Sequence, residues 1–197
     1  ALWSSSVSAA LASVIITVGT PNTPPTATIA PVVIGPPLPD HTCPTAPQGT
    51  ATTWKVGDCI YYSGQATDLE DGDPLNGNLL PASALIWSLI LQHCPSNCHP
   101  HTITALVGGR FTAPDHEYPS YIEIQLTATD SKGATDTKSV LIYPQTVVLN
   151  FQSVPTGLQL AVGPTISVTP FSRTVIIGSA NSVSATTPQA LGGSNYQ

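Results

Sequence analysis

An all-β fold follows from three features of this sequence. Apolar and polar residues alternate with a period of two, most cleanly in "YIEIQLTATD", where Ile122, Ile124, Leu126 and Ala128 share one face and Glu123, Gln125, Thr127 and Thr129 the other. The 20 prolines are spread along all 197 residues, so a long helix would be broken repeatedly. No stretch of useful length carries the apolar spacing of an amphipathic helix.

Taken in order, residues 1–21 hold a strand-like run, "AALASVIITV", followed by the start of a Pro-rich linker, "GTPNTPP". Residues 22–143 hold one complete sandwich and residues 144–197 a second, smaller β-domain that looks incomplete. Within the first, the strands read as 26–34 (A), 57–68 (B), 83–93 (C), 99–112 (C′ to E), 120–129 (F) and 136–143 (G), the order of an immunoglobulin-like sandwich. "ALIWSLILQH" sets Leu85, Trp87, Leu89 and Leu91 on one side, and Trp87 then falls where such folds bury a tryptophan on strand C. In 144–197, "TVVLNFQSVP", "GLQLAVG", "TISVTP" and "RTVIIGSA" read as further strands, and the Gly-rich turn of "LGGSNYQ" should introduce another.

Composition narrows the partners. A net charge of −6 with only five Lys plus Arg leaves little with which to neutralise phosphates, which argues against nucleic acid. No run is long and apolar enough for a membrane span. The four cysteines form two sequence-local pairs, Cys43 with Cys59 and Cys94 with Cys98. Three connectivities are formally open, and the local one is the simplest. An even cysteine count, no methionine and a Thr/Ser-rich composition favour an oxidising, extracellular location. N-glycosylation acceptors are absent from the sequence, and O-linked sugars stay open.

Two clusters carry the chemistry. "ATDLEDGD" places Asp68, Glu70, Asp71 and Asp73 after strand B, and "TATDSKG" places Asp130 after strand F. The two loops leave an immunoglobulin-like sandwich at the same end, so Asp68, Glu70, Asp71 and Asp130 are calcium-ligand candidates. The alternative is an acidic turn whose Asp and Gly residues serve turn geometry. "LQHCPSNCHPH" gathers three of the five histidines. His99 and His101 share a strand face, His93 lies across from them, and His116 in "APDHEYP" approaches from a neighbouring turn. Together they are candidates for zinc or copper. The alternative is a hairpin stapled by Cys94–Cys98 with polar, hydrogen-bonded histidines.

Asp115 and Glu117 flank His116, but adjacent strand residues point to opposite faces and no second constellation supports a catalytic site. The expectation is a non-enzyme. Tyr118 and Tyr121, with Tyr61, Tyr62 and Trp54, offer flat apolar surfaces for sugar rings. Equally, Tyr121 reads as a fold-stabilising corner residue and the other tyrosines as partly buried.

The segments "PPTATI", "YYSGQATDLEDG", "LPASALIWSLIL", "HCPSNCHPH", "FTAPDHEYPSYIEIQLTATDSKG" and "VPTGLQLAVG" together resemble the PKD-like, immunoglobulin-fold accessory region of secreted bacterial proteins. Such modules are often attached to pyrroloquinoline-quinone-type sugar dehydrogenases and other carbohydrate-active enzymes. The resemblance covers roughly residues 22–190 and implies a secreted accessory module, not a catalytic domain. In that family the segment after "LGGSNYQ" continues into further β-structure, so the resemblance also implies a piece of something longer. Two roles follow as expectations. One is a non-catalytic binding or spacer module that holds calcium and touches polysaccharide. The other is a subunit that polymerises head to tail with itself, the strand in residues 1–20 completing the sheet of residues 144–190 in the next molecule.

Overall fold

The computed structural model describes residues 21–103 and 109–197. The strand expected in residues 1–20 and part of the C′ to E region therefore lie outside the described residues. What is described is all-β: sixteen strands in several antiparallel sheets, with two single-turn 3-10 segments at Pro74–Asn76 and Ala82–Ala84.

The principal sheet is built on β5 (Leu85–His93) and β8 (Ser120–Thr129), which pair along their full length from Leu85↔Ala128 to His93↔Ser120. β9 (Thr135–Ile142) extends it on one side and β6 (His99–Thr102) on the other, giving the order β6-β5-β8-β9. This is the C′-C-F-G order of an immunoglobulin-like sheet. The alternation in β8 decides which face is inward: Ile122, Ile124, Leu126 and Ala128 are fully buried.

Facing it is a three-stranded sheet of β2 (Val33–Gly35), β3 (Cys59–Tyr61) and β7 (Arg110–Thr112), in the order β2-β3-β7. Ile34, Ile60 and Phe111 from that sheet pack with Leu89, Leu91, Ile122, Ile124 and Ile142 from the principal one, along with Trp54. A second apolar cluster lies under the pair β1 (Thr26–Ile29) and β4 (Gly64–Thr67), where Ala27, Ala66 and Leu80 meet Leu126 and Ala128.

Strands A and B are thus each two strands. Pro31 has no N–H to continue a ladder, so the chain breaks between β1 and β2. On the B side the break falls at Tyr62–Ser63, where Ser63 accepts from Ala30 N–H and Tyr62 N–H turns away to the Gly109 carbonyl. Gly64 permits the close return that follows. A Cβ there would lie 2.6 Å from the Thr28 oxygen and 2.9 Å from the Leu126 side chain.

Trp87 is only partly buried, its ring set edge-on against Tyr62 with centroids 4.8 Å apart. Among the described residues the fully buried tryptophan is Trp54, from the loop before β3.

Residues 144–197 form three small sheets: β10 (Thr146–Phe151) with β13 (Phe171–Ile176); β12 (Thr165–Val168), β11 (Gln159–Val162) and β14 (Val183–Ala185) in the order β12-β11-β14; and β15 (Gln189–Leu191) with β16 (Ser194–Tyr196). The last pair is a hairpin at "LGGSNYQ", whose second strand β16 follows the turn directly, with Gly192 and Gly193 both at positive φ between its strands. This part meets the first sandwich through backbone bonds from Val56 N–H to the Ile177 carbonyl and from Gln145 N–H to the Trp54 carbonyl.

Strand β1 is pinned to β9 by one charge-assisted contact, Ala27 N–H to the Asp136 carboxylate at 2.9 Å. That hydrogen bond is the largest cause holding the Asp136 carboxyl below the ordinary carboxylate range, and Lys138 at 3.1 Å adds to it. A folded-state pKa below the unfolded value means that the stabilisation is present above the unfolded pKa. It is lost as pH falls through the folded pKa. Asp136→Ala is expected to cost about 1–2 kcal/mol at neutral pH and to shrink the stability lost on acidification. Urea denaturation at neutral pH and below the carboxylate range measures both.

Candidate functional site

Two groups of polar side chains lie at different places on the first sandwich. The acidic one sits where β4 and β8 end, and its loops do meet. Ser131 donates to Asp71 through its backbone N–H at 2.7 Å and its hydroxyl at 3.0 Å. Two of the carboxylate oxygens there serve turn geometry. Asp68 Oδ1 accepts from the N–H groups of Glu70 and Asp71, and Asp130 Oδ1 accepts from those of Lys132 and Ala134. This is the loop-capping habit of aspartate. Gly72 completes the tight acidic turn, since a Cβ there would lie 1.9 Å from the Asn78 oxygen.

Two oxygens stand apart. Asp68 is 3% exposed, and its Oδ2 is buried with no hydrogen-bond partner; Asn22 Oδ1 is buried without one as well. The Asn22 amide N–H donates to Asp130 Oδ2 at 2.6 Å, and this bond is the main reason the Asp130 carboxyl lies below its ordinary value. Glu70 accepts from the Thr23 hydroxyl at 2.7 Å. Asn22 and Thr23, in the segment that enters β1, are thus part of this pole. No local pattern marks them, because Asn22 and Asp130 are 108 residues apart.

The second group is the histidines. Antiparallel register sets His93 directly opposite His99 and Leu91 opposite His101, at the end of the β5–β6 hairpin. The loop between β7 and β8 brings His116 onto the same patch. Ring centroids are 4.6 Å apart for His93 and His116, 5.0 Å for His93 and His99, 4.9 Å for His99 and His101, and 5.0 Å for His101 and His116. The four expected histidines are therefore one cluster. The ring nitrogens of His93, His101 and His116 all lie within 4.8 Å of one another.

Hydrogen bonding orients these rings. His116 Nδ1 lies 3.2 Å from the Glu117 carbonyl oxygen, which can only accept, so the proton sits on Nδ1 and the Nε2 lone pair is free. His93 Nε2 is buried without a partner. Burial, followed by the neighbouring His116 and His99, holds the His93 imidazole below its ordinary pKa, which favours the neutral form. Asp115 and Glu117 line the same hollow, together with Ala180. Asp115 accepts from Ala180 N–H at 3.1 Å, and Glu117 lies 3.9 Å from Arg173.

Both sequence-local disulfides are formed, Cys43–Cys59 and Cys94–Cys98. The second closes the loop joining His93 to His99, so neither sulfur there is a thiolate ligand. Comparisons with protein-family models, with curated proteins and with solved structures find no match for this chain. Function must be read from the residues themselves.

The aromatic candidates divide. Trp54, Tyr61 and Tyr62 are buried and cannot present a face to a sugar, because all three belong to the packing around β3. Tyr118 is 41% exposed. Tyr121 lies on the outward face of β8 and pairs with exposed Tyr143, centroids 5.6 Å apart. Tyr143 was not singled out from sequence, although its place just after the alternating run of β9 could have marked it.

Proposed function

We propose that this chain is a non-catalytic β-sandwich module of a secreted protein, with a structural and binding role, and that calcium holds the pole where the chain enters β1. The observations that carry the calcium reading are the buried, unpartnered Asp68 Oδ2 and, at the same pole, the buried, unpartnered oxygen of Asn22, whose amide N–H reaches Asp130. A buried carboxylate oxygen without a partner is costly, and a hard cation relieves that cost by taking the oxygen as a ligand. Rotating the Asn22 amide would turn its oxygen toward Asp130 Oδ2. Two acceptors tolerate that approach only with a cation between them. The ligands would be Asp68, Asp130 and Asn22, with the Glu70 and Asp71 carboxylates adding negative charge. Such an ion would tie residues 22–23 to both loops and stiffen the entry to the sandwich. Two disulfides support the extracellular part of this reading. Its sugar-binding part rests on Tyr118 and the Tyr121–Tyr143 pair.

Calcium at ten times its dissociation constant is expected to stabilise the fold by about 1.4 kcal/mol, a rise of roughly 3–6 °C in melting temperature. Asp68→Asn should remove that rise. Melting curves with calcium and with EGTA measure it, and identical curves for the unmodified protein would sink the calcium reading.

A second reading, head-to-tail polymerisation, is favoured by the apolar surface of residues 144–197. Val148, Val154, Ile166, Val168 and Val183 are all more than half exposed, and β10 is paired only to β13 among the described residues. Filaments in negative-stain micrographs of the purified protein would favour it, and uniform single particles would remove it.

A further inference from the structure

We infer that His93, His101 and His116 form a binding site for a late first-row divalent cation, zinc or copper, distinct from the acidic pole. Three strands of argument meet here. The first is donor chemistry. The donors are imidazole nitrogens, which suit zinc and copper and are poor ligands for calcium. With Cys94 and Cys98 joined to each other, no thiolate competes for the ion.

The second is geometry. The three ring nitrogens converge to within 4.8 Å from two separate pieces of chain, the β5–β6 hairpin and the β7–β8 loop. An ion about 2.0–2.1 Å from each nitrogen would draw them to about 3.3 Å apart. His101 is exposed and the other two are half-buried, so side-chain rotation can supply that movement without disturbing the core. Strand pairing at His93↔His99 and the disulfide that closes the connecting loop fix where the hairpin's imidazoles stand.

The third is the surroundings. His116 is held with Nε2 free by the Glu117 carbonyl, the kind of outer hydrogen bond that orients metal-bound histidines. His93 Nε2 is buried and unpartnered. Asp115 and Glu117 on the rim supply negative charge for a cation. Packed core histidines normally find hydrogen-bond partners. Here His93 Nε2 finds none, and four of the chain's five histidines face one another, an arrangement that would be repulsive if they were protonated.

His99 is exposed and lines the same hollow, and an ion held by three nitrogens would keep a fourth position for a water or an exogenous ligand, as in zinc sites that do more than brace a fold. A bound ion would also clip the β7–β8 loop to the hairpin beside Ala180, where Asp115 already joins the loop to residues 144–197.

The test is metal titration of the purified full chain after stripping with chelator, using zinc and copper in separate isothermal titrations and cobalt as an optical probe. One equivalent of zinc or copper is expected to bind, and cobalt should give the visible bands of a low-symmetry nitrogen site. His101→Ala and His116→Ala should each weaken binding at least tenfold, and the double variant should abolish the saturable site. His41→Ala, remote from the cluster, and Asp68→Asn should leave binding unchanged. His101 is exposed, so His101→Ala is expected to fold normally, which circular dichroism checks. No saturable binding by the unmodified protein, or equal affinity in the double variant, would overturn the site. Zinc or copper binding that survives the histidine changes but is lost in Asp68→Asn would assign the ion to the acidic pole instead. Because the calcium response is read separately, either site can fail without the other.

Discussion

Replacing Trp54 with alanine is expected to lower stability by about 3–5 kcal/mol, the cost of removing a large aromatic from a closed core. Trp54 is 0% exposed and packs with residues of both facing sheets. Its indole N–H donates to the Ile142 carbonyl at 3.2 Å, so alanine would leave both a cavity and an unpaired buried acceptor. The backbone at this position does further work. Trp54 N–H donates to the Tyr143 carbonyl, and the Trp54 carbonyl accepts from Gln145 N–H, just where the chain leaves β9 for residues 144–197. Loosening Trp54 should therefore be felt on both sides of that junction. Urea denaturation followed by circular dichroism measures the loss. Trp54→Phe, which keeps most of the volume but not the donor, should cost less. Trp87→Ala should also cost less, because Trp87 is only partly buried. If Trp87→Ala proves the more damaging change, the core is centred on β5, as the sequence pattern suggested, and not on the loop before β3.

That contrast shows how much was legible in the sequence. Strand β8 was readable because a ten-residue run alternates without a break, and every inward residue of it is buried. The same period placed His99 and His101 on one face and His93 across from them, which made the histidine cluster foreseeable. Trp54 was not legible as core. It lies in irregular chain, where no period distinguishes inward from outward, and its burial depends on sheets that are distant in sequence. The divided strands A and B were equally hidden, since a three- or four-residue strand shows too few alternations to locate a break. At the acidic pole, strand order was enough to bring the B and F loops together, as the Ser131–Asp71 contacts show. It was silent about Asn22 and about which carboxylate oxygens the turns themselves consume.

Breaking the Cys43–Cys59 disulfide is the second large change. With 16 residues separating the cysteines, cross-linking removes loop freedom from the unfolded chain that corresponds to about 3 kcal/mol. The segment it closes is irregular, Pro-rich and the carrier of Trp54. Before Trp54 its hydrogen bonds to the rest of the chain include Tyr61 hydroxyl to the Pro44 carbonyl at 2.9 Å, Ala51 N–H to the Ile34 carbonyl at 3.3 Å and the Gln145 side-chain amide to the Thr53 carbonyl at 3.1 Å; from Trp54 onward the segment is held by the bonds of Trp54, Val56 and Gly57. Cys59 is 0% exposed whereas Cys43 is not buried, so the suitable variant is Cys43→Ser with Cys59→Ala, which avoids burying a hydroxyl in β3. A fall of roughly 6–12 °C in melting temperature is expected for a chain of this size. Because a reductant would also open Cys94–Cys98, only the double variant isolates this bond. Its zinc or copper titration should be unchanged, since the histidine cluster lies on the other disulfide's hairpin. A melting temperature equal to that of the unmodified protein would mean that the cross-link removes no loop freedom from the unfolded chain. It would then be Trp54 packing together with the segment's hydrogen bonds, with no contribution from the cross-link, that fixes the segment against the two sheets.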